Sequence, residues 1–462
     1  MNDYQNNFDP RVVVAKLSKP AYPTWDEKDE EVFESLLRIA EMIEWADGTL
    51  GPFGKVIASD ARVLIKPNFV LHRNEGGWGM EPMVTHQSVV RAAVRAALLA
   101  KPSEVIVGDA PIQSCDFEHL LRVMNLQGWA AELMRQDSRF KGIRDFRRTT
   151  CKYIDGVRVA SENVLPEDLF VLFDLGADSL LEPITDQSER FRVTCYDPRL
   201  MAKTHAPGRH QYLVARDVMD ADVVINLPKL KTHKKAGITC ALKNLIGING
   251  NKEYLPHHRI GGANLGGDCY PGDSKIKRVL EYAADQQNYS NSRPLGRIWG
   301  GVATQLTRVL HLMGDNLGIE GSWIGNDTIW RTALDLNRIL IYGRPDGTMD
   351  DSPQRRVVHL VDAVVAGQGD GPLSPQPLEL GLLFGGSNAA AVDWVGAQLL
   401  GYDPQQISIV REAFSEFRWP LSSFRKDDVS VLGDWAEVRG QAVLYPQGWS
   451  NASKTQFAHS GV

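Results

Sequence analysis

Lys66-Pro-Asn68, Asp109, the run from Lys229 to His233, Lys243-Asn244 and the triplet His257-His258-Arg259 are the residues of this chain best suited to chemistry. Between Lys229 and Arg259 there are seven Lys/Arg and three His against a single acid, Glu253, in a protein whose formal net charge is −6. A local positive surplus on an acidic background, punctuated by glycine and carrying imidazoles, suits a small anionic ligand such as a carboxylate or phosphate. Lys229, Lys231 and His233 alternate along an extended segment and project to one side. They would form a row of donors with His233 at its tip as acid, base or ligand. Lys243-Asn244 falls at or just inside a helix expected to open near Thr239, where free N–H groups add to the lysine charge. Leu242, Leu245 and Ile246 around it would desolvate the amine, lower its pKa and suit it to act as a base or Schiff-base nucleophile. His257 and His258 are adjacent in an extended stretch and point oppositely, so at most one faces the site, with Arg259 as an anion clamp. Lys234 and Lys235 read as solvated.

A divalent metal would draw on carboxylates at strand ends, Asp109, Asp362 and Asp370, together with His233 and one of His257 and His258. Asp393, in the apolar run Ala390-Ala-Val-Asp-Trp394, suits either that set or a buried structural hydrogen bond. Cys240 lies inside the basic motif with no histidine beside it to activate it. The segment Glu320–Arg331, rich in Trp and Gly, suits a lid, a substrate wall or a packed helix pair.

These residues sit where strands would end. Val63–Ile65, Glu104–Val107, Val223–Ile225 and Val357–Val361 read as short buried strands, with Tyr212–Ala215 and Leu378–Phe384 as further strands. Gln87–Ala100 has helical periodicity with Thr85 as cap, and Lys277–Ala284, Gly296–Met313, Thr328–Tyr342 and Asn388–Leu400 continue the helical pattern. Strand, helix, strand in this spacing implies an α/β fold with a mostly parallel, doubly wound sheet, a helical insertion and a second α/β portion. The divisions drawn from the pattern are an N-terminal extension 1–55, an α/β domain 56–262, a loop-rich and helical insertion 263–345, a second α/β portion 346–440 and a tail 441–462. In such sheets ligands lie beyond the carboxyl ends of the strands, where Lys66-Pro-Asn68, Gly108-Asp109, Asn226 and Asp362 are found.

The totals narrow the class. At 462 residues the chain exceeds one comfortable core. Its slight acidity, without a basic arm or an Arg-aromatic stripe, argues against a nucleic-acid partner. No stretch approaches 18 apolar residues, so no spanning segment or membrane partner is expected. The five cysteines (Cys115, Cys151, Cys195, Cys240, Cys269) form no C-x-x-C pair, which argues against an iron–sulfur cluster and fits a reducing, cytoplasmic compartment.

The pattern Lys66-Pro-Asn68, Val107-Gly-Asp109, Ala221–His233, Leu242-Lys-Asn-Leu-Ile-Gly247, Asp362 with Gly369-Asp-Gly-Pro372, and Ala391-Val-Asp393 resembles the domain of unknown function 362 family from about residue 60 to 415. The family name carries no settled activity. A second, weaker resemblance is to the nickel-pincer lactate racemases, with His233 ten residues before Lys243, Gly237 between them, and His257 and His258 following. That likeness implies a lysine holding a cofactor covalently and histidines serving metal ligation and acid/base work. The chain departs from it where Thr239-Cys-Ala-Leu242 replaces the Ser-Gly-Gly before the lysine. The expected function is a metal-assisted or proton- or hydride-transferring enzyme, isomerase-like or oxidoreductase-like, acting on a small anion. The alternative is a non-catalytic anion- or cofactor-binding protein.

Overall fold

The computed structural model describes residues 7–22, 30–154, 157–159, 164–186, 188–290, 293–435 and 442–452. Its centre is one ten-stranded mixed sheet. We number its strands β1 Arg11–Lys16, β2 Arg62–Pro67, β3 Glu104–Asp109, β4 Phe140–Asp145, β5 Val223–Leu227, β6 Lys229–His233, β7 Gly237–Thr239, β8 Arg356–Asp370, β9 Ser374–Gly386 and β10 Ser430–Gly433. The order across the sheet is β10-β1-β9-β8-β5-β2-β3-β4, with β6 beside β8 and β7 beside β6.

Alternation along the strands explains the layering. Val12 and Val14, Leu64 and Val224 face one hydrophobic core, while Val13 and Ala15, Val63 and Ile65, and Val223 and Ile225 face the other. Apolar side chains on both faces require helices on both faces. The helices Glu30–Met42 and Gln87–Leu99 cover one side, and Ile329–Tyr342 and Ala389–Leu399 the other. The α/β fold with a largely parallel sheet is therefore observed. Every residue of Ile329–Tyr342 except Arg331 is buried, so this is an interior helix. It can be so because Asp335 accepts from Tyr212 Oη at 2.9 Å and from Arg338 Nη1 at 2.7 Å within the core.

The sheet runs through the divisions drawn from sequence. β1, from the N-terminal extension, lies antiparallel to β9 and parallel to β10, and β8, from the second α/β portion, lies parallel to β5. The two α/β portions thus share one layer.

Strands β2, β3 and β4 step outward in parallel from one side of β2, while β5 and then β8 lie on its other side. The crossovers diverge between β2 and β5, and the cleft opened there, at the carboxyl ends of the strands, is the usual ligand position. Thr85 ties the two ends together: its hydroxyl donates to Leu227 O at 2.6 Å and accepts from Asn68 N at 2.8 Å. Its role is therefore to close this rim, and His86 caps the following helix by accepting from Ser88 N at 3.2 Å. Thr85→Val keeps the shape and removes both bonds. A loss of about 1–3 kcal/mol in chemical-denaturation stability is expected, and an unchanged midpoint would contradict the assignment.

Candidate functional site

The basic run is a hairpin and a turn of helix. Lys229–His233 (β6) enters, Gly237–Thr239 (β7) returns antiparallel to it, and Ala241–Asn244 forms a short helix. Gly237 takes φ +81°, and a Cβ there would fall 2.8 Å from Trp449, so glycine alone fits.

Burial governs how the lysines are used. Lys66 is fully buried and its ammonium lies 2.7 Å from Asp109 Oδ1, also bonding Pro67 O at 2.9 Å and Asn244 Oδ1 at 3.2 Å. Lys229 is likewise buried, 2.7 Å from Asp362 Oδ2 and 3.1 Å from Val365 O. Lys231 has only neutral acceptors, Asn68 Oδ1 at 2.7 Å and Met83 O, and desolvation, with Lys229 and Lys243 nearby, holds its pKa well below the usual lysine range. Lys229, Lys231 and His233 are all buried, each with partners of its own, and do not present one open row.

Lys243 differs from all of these. It is half-buried and has no hydrogen-bond or ion-pair partner among the described residues. Desolvation, then the charges of Lys235 and Lys66, bring its pKa down to about 7. Lys235 was expected in solvent, yet its side chain is 13 % exposed, donates to Thr194 Oγ1 at 2.9 Å and lies 3.9 Å from Glu320. Its charge lowers the pKa of His233, His257, His258 and Lys243 alike, so it belongs to the basic cluster.

The imidazoles have defined tautomers. His233 Nδ1 accepts backbone N–H bonds from Lys235 at 3.0 Å and Ala236 at 3.2 Å, so in the neutral ring the proton is on Nε2. His257 Nδ1 lies 2.7 Å from Leu255 O, a carbonyl that can only accept, so there the proton is on Nδ1 and Nε2 keeps its lone pair. Both rings are held well below the ordinary histidine pKa by desolvation first, then by neighbouring cations. Neutral rings of opposite polarity thus lie within electrostatic reach of Lys243. His258 is the buried member of the pair, with Nδ1 unbonded.

Other expectations are corrected. The N–H groups opening Ala241–Asn244 are not free: Leu242 N lies 3.3 Å from Asp393 Oδ1, and Ala241 N and the Cys240 thiol also bond that carboxyl. Asp393 is thus structural, and burial pushes its pKa up to about 7. Cys240 is fully buried with its thiol pKa pushed well up, the reverse of an activated nucleophile. Arg259 is not an open anion clamp, because Asp268 at 3.5 Å and Asp327 at 3.7 Å neutralise it. The three carboxylates read as metal ligands do not converge. Asp109 and Asp362 are engaged by lysines, and Asp370 is exposed, 3.6 Å from Lys234. Among the described residues no group of three or more His, Cys, Asp or Glu is placed to hold a metal ion. Asn68 and Asn244 do lie at the rim, bonded to Lys231 and Lys66.

Tyr22 is a rim residue that no sequence signal marked. Its hydroxyl donates to Asp362 Oδ1 at 2.5 Å, and its ring stacks on His86 at 3.7 Å between centroids. Nothing in Ala21-Tyr22-Pro23 distinguishes it from any surface tyrosine.

Asp393 gives a pH prediction. In the folded chain its carboxyl keeps a proton up to about 7, whereas unfolded it titrates near 3.8. Between those values rising pH favours the unfolded chain, and above about 7 the full cost persists. Asp393→Asn cannot ionise. Its urea midpoint should fall less than that of the unaltered protein between pH 5 and 8, and equal falls would place the titration elsewhere.

Comparison with known proteins places the chain in a family. A family model described as "Domain of unknown function (DUF362)" matches residues 63–172 and 184–398, and the chain belongs to that family. A protein named "Thylakoid-associated protein" from Synechocystis sp. is 24% identical over 230 residues, covering 48% of this chain and 47% of the relative. The chain therefore spans about half the length of that curated relative. A crystal structure of a Thermotoga maritima protein aligns with a TM-score of 0.33 at 12% identity, covering 80% of this chain and 58% of the other. Among the described residues no helix is long and apolar enough to cross a membrane.

Proposed function

We propose that this DUF362 member is a cytoplasmic enzyme that binds a small carboxylate- or phosphate-bearing molecule at Lys243 and moves a proton on it. The observation that carries this reading is the trio of Lys243, His233 and His257: a cation without a counter-ion among the described residues, a neutral N–H donor and a neutral lone pair, within electrostatic reach of one another. Lys66 and Lys229 spend their charge on Asp109 and Asp362, so the surplus that draws an anion rests on Lys243 and Lys235.

In this scheme the ammonium of Lys243 and the Nε2–H of His233 grip the anionic group, a charge-assisted arrangement. His257 Nε2 takes a proton from an adjacent carbon or hydroxyl, its ring oriented by Leu255 O. Withdrawal of that proton builds negative charge beside Lys243 and Lys235, where it is stabilised. The racemase resemblance supports an acid–base role for these histidines. The second reading, a non-catalytic binder of the same anion, uses Lys243 and His233 and leaves His257 idle.

Two measurements test the proposal. A panel of small 2-hydroxy and 2-oxo carboxylates and phosphate esters is incubated with the protein in D2O, and deuterium entering at carbon is read by NMR. Exchange should be lost in His257→Gln with binding retained, while Lys243→Ala should weaken binding roughly 10- to 100-fold. Binding without exchange for every compound would favour the second reading.

The pH dependence follows from the lysine. Its charge is lost as pH rises through about 7, so anion affinity measured by calorimetry should fall above that value. Lys243→Arg, charged throughout, should flatten the profile. A fall that survives in the arginine variant would place the titrating group elsewhere. Intact mass of the purified protein reads whether Lys243 carries a covalent adduct.

A further inference from the structure

Between Arg259 and Asp362 in the chain, two consecutive helices, Lys275–Tyr289 and Arg293–Leu312, pack against each other, with Tyr282 and Trp299 in edge contact at 5.7 Å. The second helix leaves much of its apolar surface outside. Leu295, Ile298, Val302, Val309 and Leu312 are between 38 and 89 % exposed. Their spacings of three, four, seven and three residues put them on one face of an α-helix. Val279 and Tyr282 of the first helix, 52 and 56 % exposed, widen the apolar surface. Single exposed apolar residues need no explanation, but a stripe along a whole helix does.

The charge of that helix says what covers the stripe. Arg293–Leu312 contains Arg293, Arg297 and Arg308 and no Asp or Glu. Arg308 stands exposed one residue before Val309, and Lys275 and Arg278 are exposed at the start of the neighbouring helix. An apolar face bordered by arginines, with no acid on the helix, fits the boundary between anionic headgroups and acyl chains. A second copy of the chain fits less well, because a face paired with itself sets cation against cation.

We propose that this helical pair docks the protein on an anionic lipid surface, with the stripe from Leu295 to Leu312 inserted at the headgroup boundary. The expectation of no membrane partner rested on the lack of a spanning segment, and surface docking needs none. The proposal stands apart from the chemistry at Lys243.

Co-sedimentation with vesicles of phosphatidylcholine, with and without phosphatidylglycerol, tests it, using full-length protein. Binding should require phosphatidylglycerol and weaken as salt is raised. The double variant Ile298→Glu, Val302→Glu should lower the partition coefficient at least about tenfold. Arg308→Glu should lower it about fivefold. Both alter exposed positions, so unchanged thermal unfolding serves as the control for folding. The proposal is overturned by no binding to either vesicle or by binding that both variants leave intact. It is equally overturned if sedimentation velocity without lipid shows self-association that the double variant abolishes, which would assign the stripe to a second copy.

Discussion

An ammonium group taken out of water at the rim of a sheet must find an acceptor there, and this requirement organises the carboxyl ends of the strands. Lys66 and Lys229 are buried with Asp109 and Asp362, each pair at 2.7 Å. Those partnerships draw in the surroundings. Asp362 also takes the Tyr22 hydroxyl and His86 N, and Asp109 Oδ2 takes Phe69 N at 2.6 Å. Gly247 lacks a side chain where a Cβ would lie 2.0 Å from Asp109 Oδ1. With those carboxylates engaged, no counter-charge pairs with Lys243 among the described residues.

The same economy shapes the histidines. Their tautomers are decided by backbone groups two or three residues away: the N–H pair that holds His233 Nδ1, and the Leu255 carbonyl against His257 Nδ1. Short turns after β6 and before His257 thus set chemical polarity at the tip of each ring. Such groups would cost no reorganisation on binding, because the main chain is already in place.

Much of this was legible in the residues. The buried runs Val63–Ile65, Glu104–Val107, Val223–Ile225 and Val357–Val361 lie within strands of one sheet, and polar residues at their ends meet at the rim because parallel strands bring like ends together. Lys243 was marked by the leucines around it. What escaped was pairing across long separations. Asp109 and Asp362 read as free ligands because Lys66 and Lys229, their neutralising partners, lie on other strands. Arg259 read as open because Asp268 and Asp327 come from the insertion. Lys235 read as solvated because adjacent lysines usually are, and only the hairpin turn tucks it inward beside Thr194. β1 could not be assigned to the sheet from its own six residues, since its partners are β9 and β10.

That placement of β1 has a consequence for how the chain acquires its structure. Val12, Val13 and Val14 have no hydrogen-bonding neighbour in the sheet until β9 exists, roughly 360 residues later, and β10 comes later still. During synthesis the strand is an unpaired, valine-rich edge while β2, β3 and β4 can already assemble from nearby sequence. Closure of the sheet is therefore a late event of high loop entropy, and the early strand is the segment that most needs shielding from other chains until the hairpin of β8 and β9 arrives to receive it.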